Sequence, residues 1–342
     1  MKTGLIGKSI ILWALLPFVF ESVSIEAGQK SKQPRRIPAF MWRDPGKIES
    51  KNLLYGPGSP ARAPAPPFRF LKEDKDGESP KFKVKDSRNV EWSVKLGPEA
   101  QTETVATRLL WAVGYFAEEA YYFDRVNIRE LQRLSRGMEY VEGSGTVRGA
   151  RFEPRRPGVT REDTWDWNDN PFAGRRELSG LKMLMILLNN YDARTANNRV
   201  LLVRNPERGS LEAHYVVTDV GATLGRAGGM GGGRSKNDLE DFLSTEFVMA
   251  VKNGVVIFDY DTRPKGVGVL SVLYPPYYLG EVKKEKDMRD IPVAHARWLG
   301  RLLARVSNNQ LRDAFTAAGY DPETKEAYVR ALRRRMDQLT RL

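Results

Sequence analysis

The sequence contains no cysteine and only two histidines, His214 and His295, which lie far apart in the chain. The absence of cysteine excludes disulfide bonds, thiol nucleophiles and cysteine-ligated zinc. With so few histidines, a Ser-His-Asp triad and a histidine-rich metal site are nearly excluded as well. His214 stays open as a single ligand because it lies beside a predicted strand. Any catalysis by this chain would therefore depend on carboxylates, amides, lysines and arginines.

Long apolar runs are also scarce. The main one, Ile10–Phe20, is short for a membrane span, follows Lys2 and Lys8, and precedes a stretch of small residues that ends at Ala27. This pattern predicts a secretory signal peptide over residues 1–27, with a retained membrane anchor as the less favoured alternative. Export would place the mature chain in a periplasm or outside the cell.

The chain is basic and large enough to bury a core. Its 342 residues are 41% hydrophobic and carry a formal charge of +12. Basic surfaces attract phosphates, nucleic acids and anionic lipids. No nucleic-acid-binding motif accompanies the arginine clusters, so specific nucleic-acid binding is not expected. Most such clusters are solvated faces, and an anionic envelope surface stays open as a partner. Arg333, Arg334 and Arg335 are expected on the solvent face of the last helix.

One stretch brings together the residue types that phosphoryl transfer needs. Asp192 and Asn197 lie in a short loop between a helix-like apolar run, Leu178–Leu188, and a strand-like run, Val200–Val203. Such a loop can direct both side chains into one cleft. A carboxylate is needed to orient or deprotonate the attacking hydroxyl, and oxygen ligands are needed to hold magnesium. Asp192 fits the first role, and Asn197 fits the second.

A second acidic motif follows the next strand. The run Tyr215–Thr218 is β-branched and aromatic, so Asp219 is predicted at a strand end, where Gly221 would let the backbone turn sharply. A carboxylate there is placed to bind metal. The sequence Asp219-Val220-Gly221-Ala222-Thr223 also fits the phosphate hairpin of actin- and hexokinase-like enzymes, but that fold opens with this hairpin and too little chain follows here.

These residues resemble the catalytic centre of the protein-kinase-like superfamily in its atypical branches, namely HipA-type bacterial kinases, phosphatidylinositol-kinase-like enzymes and secretory-pathway kinases. Asp192 matches the catalytic-loop aspartate, Asn197 the magnesium-binding asparagine, and Asp219 the aspartate of Asp-Phe-Gly. The sequence departs from the main protein kinases at Asn190-Tyr191-Asp192, where they have His-Arg-Asp, and at Val220, where they have Phe. Arg194 stands where Lys is common.

The resemblance implies an α+β, bilobal fold with a strand-rich N-lobe and a helix-rich C-lobe, and a nucleotide, ATP, bound with Mg or Mn. Taken alone, however, each motif has a structural alternative. An Asp with an Asn five positions later occurs often by chance, and the Asp192 loop also fits a polar helix cap.

The kinase interpretation requires an upstream lysine on a strand and a glutamate on the following helix. Val90–Leu96 alternates polar and apolar residues as a half-buried strand does, and it carries Lys95. A helix is predicted from Glu99 to Val113, on which Glu99 and Glu103 share a face. Lys95 would hold phosphates and Glu103 would position it, with Glu99 in reserve. The alternative is a solvated lysine and two glutamates that favour the helix dipole.

The predicted organisation covers the whole chain. A proline-rich, basic stretch at 28–67 is expected to be a largely extended arm, followed by the N-lobe at 68–174 and the C-lobe at 175–342. Phe68–Val84, turning at Asp76-Gly77, is the candidate hairpin over the phosphates, although it lacks regular glycine spacing. Gly225–Gly233 is predicted to be a mobile loop that gates access, or else a plain linker. Val293–Leu342 is predicted to be helical.

The sequence therefore predicts an exported phosphotransferase that uses Mg-nucleotide to phosphorylate an unknown acceptor. An exported bacterial protein meets little ATP, which leaves open a retained site that faces the cytoplasm, an unusual phosphate donor, or a second hypothesis of another class. In that hypothesis the chain is a non-catalytic, pseudokinase-like binding module of the cell envelope.

Overall fold

The computed structural model describes residues 37–155, 159–228, 234–262 and 275–342, and Ile37 to Leu342 form one compact unit. The predicted signal peptide and residues 229–233 of the glycine-rich segment lie outside the described residues. Within the described ranges the chain is a mixed α/β protein with three sheets. No described helix is both long enough and apolar enough to cross a membrane.

The largest sheet closes into a small barrel. Its strands are β2 (Phe68–Asp74), β3 (Lys81–Lys85), β4 (Glu91–Leu96), β5 (Tyr121–Arg129), β6 (Val141–Glu142) and β7 (Thr146–Pro154). They run in the order β4-β3-β2-β5-β7-β6, and β4 also pairs with β7, so five strands form a closed ring. In β3 the fully buried Phe82 and Val84 alternate with lysines, as expected for a strand with one face in a core.

A second sheet carries the predicted catalytic segments. It contains β1 (Ala39–Phe40), β8 (Thr160–Asp163), β9 (Asn198–Arg204) and β10 (Leu211–Val217) in the order β1-β10-β9-β8. The strands β9 and β10 are antiparallel, with Val217 opposite Asn198. This register brings the start of β9 beside the end of β10, which are the positions next to Asn197 and Asp219.

Helices make up most of the remainder. They are α1 (Pro98–Ala112), α2 (Arg176–Leu187), α3 (Leu239–Leu243), α4 (Pro275–Asp287), α5 (Val293–Ala304), α6 (Asn308–Thr316) and α7 (Pro322–Arg341). A capping box at Ser307 begins α6, and the Asp321 side chain caps α7. A third sheet has the order β11 (Val248–Lys252), β12 (Val255–Phe258), β13 (Ile291–Pro292). The helices α5, α6 and α7 confirm the helical pattern predicted for Val293–Leu342.

The apolar side chains form two separate cores. One fills the barrel and includes Phe68, Phe82, Trp92 and Phe152. The other joins α1 and α2 to the C-terminal helices and to the segment before β2. The helix α1 follows the barrel strand β4 directly but belongs to the second core, so it connects the two cores.

Two expectations about the surface differ from the structure. The described part of the proline-rich arm is not uniformly extended, because it contains short 3₁₀ turns and buries Met41, Ile48 and Leu53. These apolar residues drive it onto the second core. The solvent-face prediction is wrong for Arg335, which is 6% exposed. Its guanidinium donates hydrogen bonds to the carbonyl oxygens of Leu187 and Phe242, which offsets the cost of its burial.

Candidate functional site

Lys95 is held by three carboxylates at the point where the barrel meets α1. In β4, Trp92 and Val94 point into the barrel core, so Ser93 and Lys95 lie on the opposite face. The Lys95 Nζ lies 2.9 Å from Glu103, 3.2 Å from Glu99 and 2.7 Å from Asp219. Its side chain is only 6% exposed, so the alternative of a solvated lysine is wrong.

The three carboxylates keep Lys95 charged. Burial alone would lower the pKa of Lys95, but Glu103, Asp219 and Glu99 raise it above its ordinary value. Glu103 is 1% exposed and lies one helical turn beyond Glu99 on the same face of α1. The predicted Lys95–Glu103 contact is therefore present, and Glu99 makes a contact as well.

Glu99 joins three parts of the chain. Besides Lys95, it accepts hydrogen bonds from Ser79, at 2.7 Å, and from Lys236, at 2.5 Å. Ser79 belongs to the connection between β2 and β3, and Lys236 follows the glycine-rich segment. Burial would raise the pKa of Glu99, but Lys95 and the hydrogen bonds from Lys236 and Ser79 lower it to about 2. Glu99 is thus a buried, ionised carboxylate that contacts Lys95, Ser79 and Lys236 at once.

Asp219 follows β10, as predicted, but the tight turn lies at Asp219 and not at Gly221. Asp219 has a φ of 54°, a left-handed conformation that Asp tolerates better than most residues. Gly221 is required for a different reason: a Cβ there would lie 2.7 Å from the Cβ of Glu99. The Gly221 carbonyl also accepts a hydrogen bond from Thr102 at 2.5 Å. Asp219-Val220-Gly221 is therefore packed directly against α1.

Asp192 and Asn197 meet in the loop between α2 and β9. The Asn197 Nδ2 donates to the Asp192 Oδ2 at 2.9 Å and to the Asp192 carbonyl at 2.8 Å. Arg194 also pairs with the Asp192 carboxylate, at 3.0 Å. Burial raises the pKa of Asp192, although Arg194 and Asn197 oppose this. A raised pKa makes a carboxylate a stronger base.

The backbone connects this loop to the Asp219 motif. Both the amide and the hydroxyl of Thr218 donate to the Asn197 carbonyl, at 2.8 and 3.0 Å. The hydrogen bonds of the Asn197 side chain use its nitrogen, so its oxygen can still act as a metal ligand. Asp192 and Asp219 are also close enough to interact electrostatically.

A cleft of about 860 Å³ opens beside these groups. Lys95, Glu103, Asn197 and Asp219 line it, and Asp192 does not. Leu201, Val203 and Val216, from β9 and β10, add an apolar surface. A volume of this size lies in the range of small-molecule sites, and charged side chains of both signs make up much of its lining.

The oxygen atoms of Asn197 and Asp219 fit a magnesium ion only if a bound ligand completes the coordination shell of the metal. Among the described residues, no group of three or more His, Cys, Asp or Glu side chains is placed to hold a metal ion. Asn197 and Asp219 offer an amide oxygen and a carboxylate, the ligand types magnesium prefers. Phosphate and water would have to supply the remaining ligands.

His214 has a structural environment in the same cleft. Its ring stacks on Phe116 with centroids 3.9 Å apart, and its Nε2 lies 2.9 Å from Glu212. These contacts explain its placement by packing and hydrogen bonding, without a metal.

Sequence reasoning missed Arg151, a buried cation of the cleft. Arg151 lies directly opposite Lys95 in the β4–β7 register, and its Nε is 3.4 Å from Glu103. Its side chain is 4% exposed. The alternation of β7, in which Ala150 and Phe152 face the barrel core, could have indicated that Arg151 lies on the opposite face of the sheet. The partner strand could not have been inferred, because β4 and β7 are separated by α1 and two further strands.

No protein-family model matches the chain, and no curated protein matches it. The structure is similar to the crystal structure of a Helicobacter pylori proinflammatory kinase, CtkA, with a TM-score of 0.45 and 12% identity. The match covers 81% of this chain and 97% of that chain. Because this likeness is weak, it does not establish the activity or the site residues of this protein.

Proposed function

We propose that this protein is a bilobal, kinase-like phosphotransferase that transfers a phosphoryl group from a magnesium- or manganese-bound nucleotide to an acceptor hydroxyl. The observation that carries the proposal is the ion-pair cluster in which Lys95 meets both Glu103 of α1 and Asp219 after β10. Phosphoryl transfer in kinases requires a strand lysine paired with a helix glutamate and an aspartate that binds the metal. Few structural needs would bury Lys95 and Glu103 together and add the half-exposed Asp219 beside an open cleft.

In this proposal each residue has one task. Lys95 neutralises the donor phosphates, and Glu103 and Glu99 position Lys95. Asn197 and Asp219 would hold the metal, which supplies charge neutralisation and orientation when bound. Asp192 orients the acceptor hydroxyl and accepts its proton, a role that the raised pKa favours.

Replacing Asp192 separates catalysis from binding. Asp192→Asn should reduce phosphoryl transfer by about 10²–10⁴-fold while leaving nucleotide affinity nearly unchanged, because Asp192 acts on the acceptor. Lys95→Ala should weaken nucleotide binding as well. Transfer of radiolabel from ATP to the protein itself or to a lysate measures the first effect, and calorimetric titration with ATP and Mg or Mn measures the second. Equal transfer by the wild type and Asp192→Asn would remove the proposed chemistry.

One observation favours a second candidate, a non-catalytic nucleotide-binding module. Arg194 and Asn197 already occupy the Asp192 carboxylate, and Asp219 is bound to Lys95. A protein that binds Mg-nucleotide but transfers no phosphate would support this candidate.

We also propose that the mature protein is exported and contacts anionic envelope surfaces through its basic residues. Fractionation tests export directly: full-length, uncleaved chain in the cytoplasm would contradict it and would remove the conflict with the low ATP content outside the cytoplasm.

A further inference from the structure

Arg151 is a buried cation whose hydrogen-bonding capacity is only partly used. Its Nη2 donates to Glu153 at 3.1 Å, whereas its Nε and Nη1 are buried and make no hydrogen bond with the described residues. The Nε lies 3.4 Å from Glu103, within ion-pair range but without hydrogen-bond geometry. Leaving a buried donor of a charged group without an acceptor destabilises the folded protein.

The position of Arg151 indicates where an acceptor would come from. Arg151 and Lys95 are directly opposite each other on neighbouring strands, so their side chains leave the same face of the sheet. Both line the cleft of about 860 Å³. A group that enters the cleft to reach Lys95 would therefore pass beside Arg151.

The chemistry of the guanidinium limits what can bind there. Arginine has five N–H donors and no acceptor, so its ligand must present an oxygen or another acceptor atom. A phosphate oxygen meets this need, and so does a carbonyl oxygen of a nucleobase. The exocyclic amino group of adenine would instead place a donor against a donor.

We propose that Arg151 is a second ligand-binding cation of the cleft, which donates a hydrogen bond to an oxygen of the bound nucleotide beside the phosphates held by Lys95. This inference rests on the proposed function and adds a specificity-determining residue to it. Arg151 binds the ligand through Nη1 while Nη2 stays on Glu153 and the charge continues to offset that of Glu103.

Two substitutions separate ligand binding from a structural role. Arg151→Met removes both the charge and the donors. Arg151→Lys keeps a cation for Glu103 but removes the planar set of donors, so it preserves the fold if the methionine variant unfolds. Arg148→Met is the matched control, because Arg148 lies on the same strand with a side chain 53% exposed and does not line the cleft.

The affinities of Mg-ATP, Mg-GTP and Mg-tripolyphosphate are measured by calorimetry for each variant, together with the free energy of unfolding. Losing a hydrogen bond to a charged group should weaken binding by roughly 10- to 100-fold. An equal loss for all three ligands assigns the acceptor to a phosphate oxygen, and a loss for Mg-GTP alone assigns it to the base carbonyl. Either result supports the proposal if Arg148→Met binds like the wild type.

Unchanged affinities in both Arg151 variants, whatever their stability, would overturn the inference and leave Arg151 as a counter-ion of Glu103. The proposed function would survive that result, because the wild type would still bind nucleotide. A wild-type protein that binds none of the three ligands would overturn both.

Discussion

Glu99 shows how a single residue can connect the candidate site with stability. Its carboxylate is shared among Lys95, Lys236 and Ser79, and its pKa is lowered to about 2. A carboxylate whose folded pKa lies below its unfolded value stabilises the fold above the unfolded pKa. That stabilisation is lost as the pH falls towards the folded pKa.

We therefore expect Glu99 to contribute to stability at neutral pH and to lose this contribution between about pH 4.5 and 2. The shift corresponds to a contribution on the order of 3 kcal/mol. In Glu99→Gln, the free energy of unfolding should fall less steeply over this range than in the wild type, as measured by urea unfolding at several pH values. Parallel pH profiles would show that Glu99 is not ionised in the way described.

Gly221 is a second residue at which a single added atom, a Cβ, would disturb the packing. A Cβ at this position would lie 2.7 Å from the Cβ and 3.0 Å from the Cγ of Glu99, so either α1 or the Asp219 motif must move. Gly221→Ala should destabilise the protein by about 1–3 kcal/mol and weaken nucleotide binding. Gly280→Ala is the control, because it lies in α4 with no atom within 4 Å of an added Cβ, and helix propensity predicts unchanged or slightly higher stability. Equal stability of the two variants would contradict the close packing.

At the scale of secondary-structure elements, the candidate site depends on the helix α1. It carries both glutamates that bind Lys95, it packs against Gly221, and its Gln101 accepts a hydrogen bond from Asn237 at 2.8 Å. Its other end is held by Arg108, which is 1% exposed and donates to the carbonyls of Leu53 and Leu54 at 2.8 and 3.0 Å. The segment before β2 thus anchors α1.

Removing that anchor should affect stability and the site together. Arg108→Met leaves several buried carbonyl oxygens without donors, so we expect a loss of about 2–4 kcal/mol in the free energy of unfolding and weaker nucleotide binding. Thermal and urea unfolding measure the first effect, and calorimetry the second. Arg129→Met, at an exposed position of β5, should change neither. A wild-type-like Arg108→Met protein would show that α1 does not depend on this segment.

At the scale of the whole molecule, the C-terminal helix α7 supports the start of the Asp192 loop through Arg335. Its guanidinium donates to the carbonyls of Leu187 and Phe242 and to Asn189, and it lies 3.9 Å from the centroid of the Phe242 ring. One side chain of α7 therefore ties α3 to the end of α2, just before the Asp192 loop.

Arg335→Met should lower the free energy of unfolding by about 3 kcal/mol or more, because several buried acceptors lose their donor. Its neighbour Arg334 is exposed, so Arg334→Met should leave stability within about 0.5 kcal/mol of the wild type. Chemical unfolding of the two variants provides the comparison. Equal effects would mean that the Arg335 contacts contribute nothing beyond charge.

Much of the local structure follows from the sequence alone. Alternating residues predict β4, the spacing of Val105, Leu109 and Val113 predicts α1, and helical periodicity predicts the C-terminal helices. The chain order of Lys95, Glu103, Asp192, Asn197 and Asp219 indicates a phosphotransfer site. These elements can be predicted because periodicity involves residues that are close together in the chain. The roles assigned to the site residues stay predictions.

Only the tertiary structure decides which distant groups meet. The sharing of Lys95 among three carboxylates depends on α1 and the end of β10 converging on one strand, and the place of Arg151 depends on β4 pairing with β7. The same holds for the buried Arg335 and for the anchoring segment before β2. Strand pairing and helix docking are set by the collective burial of apolar surface, so a pattern within a single segment cannot specify them.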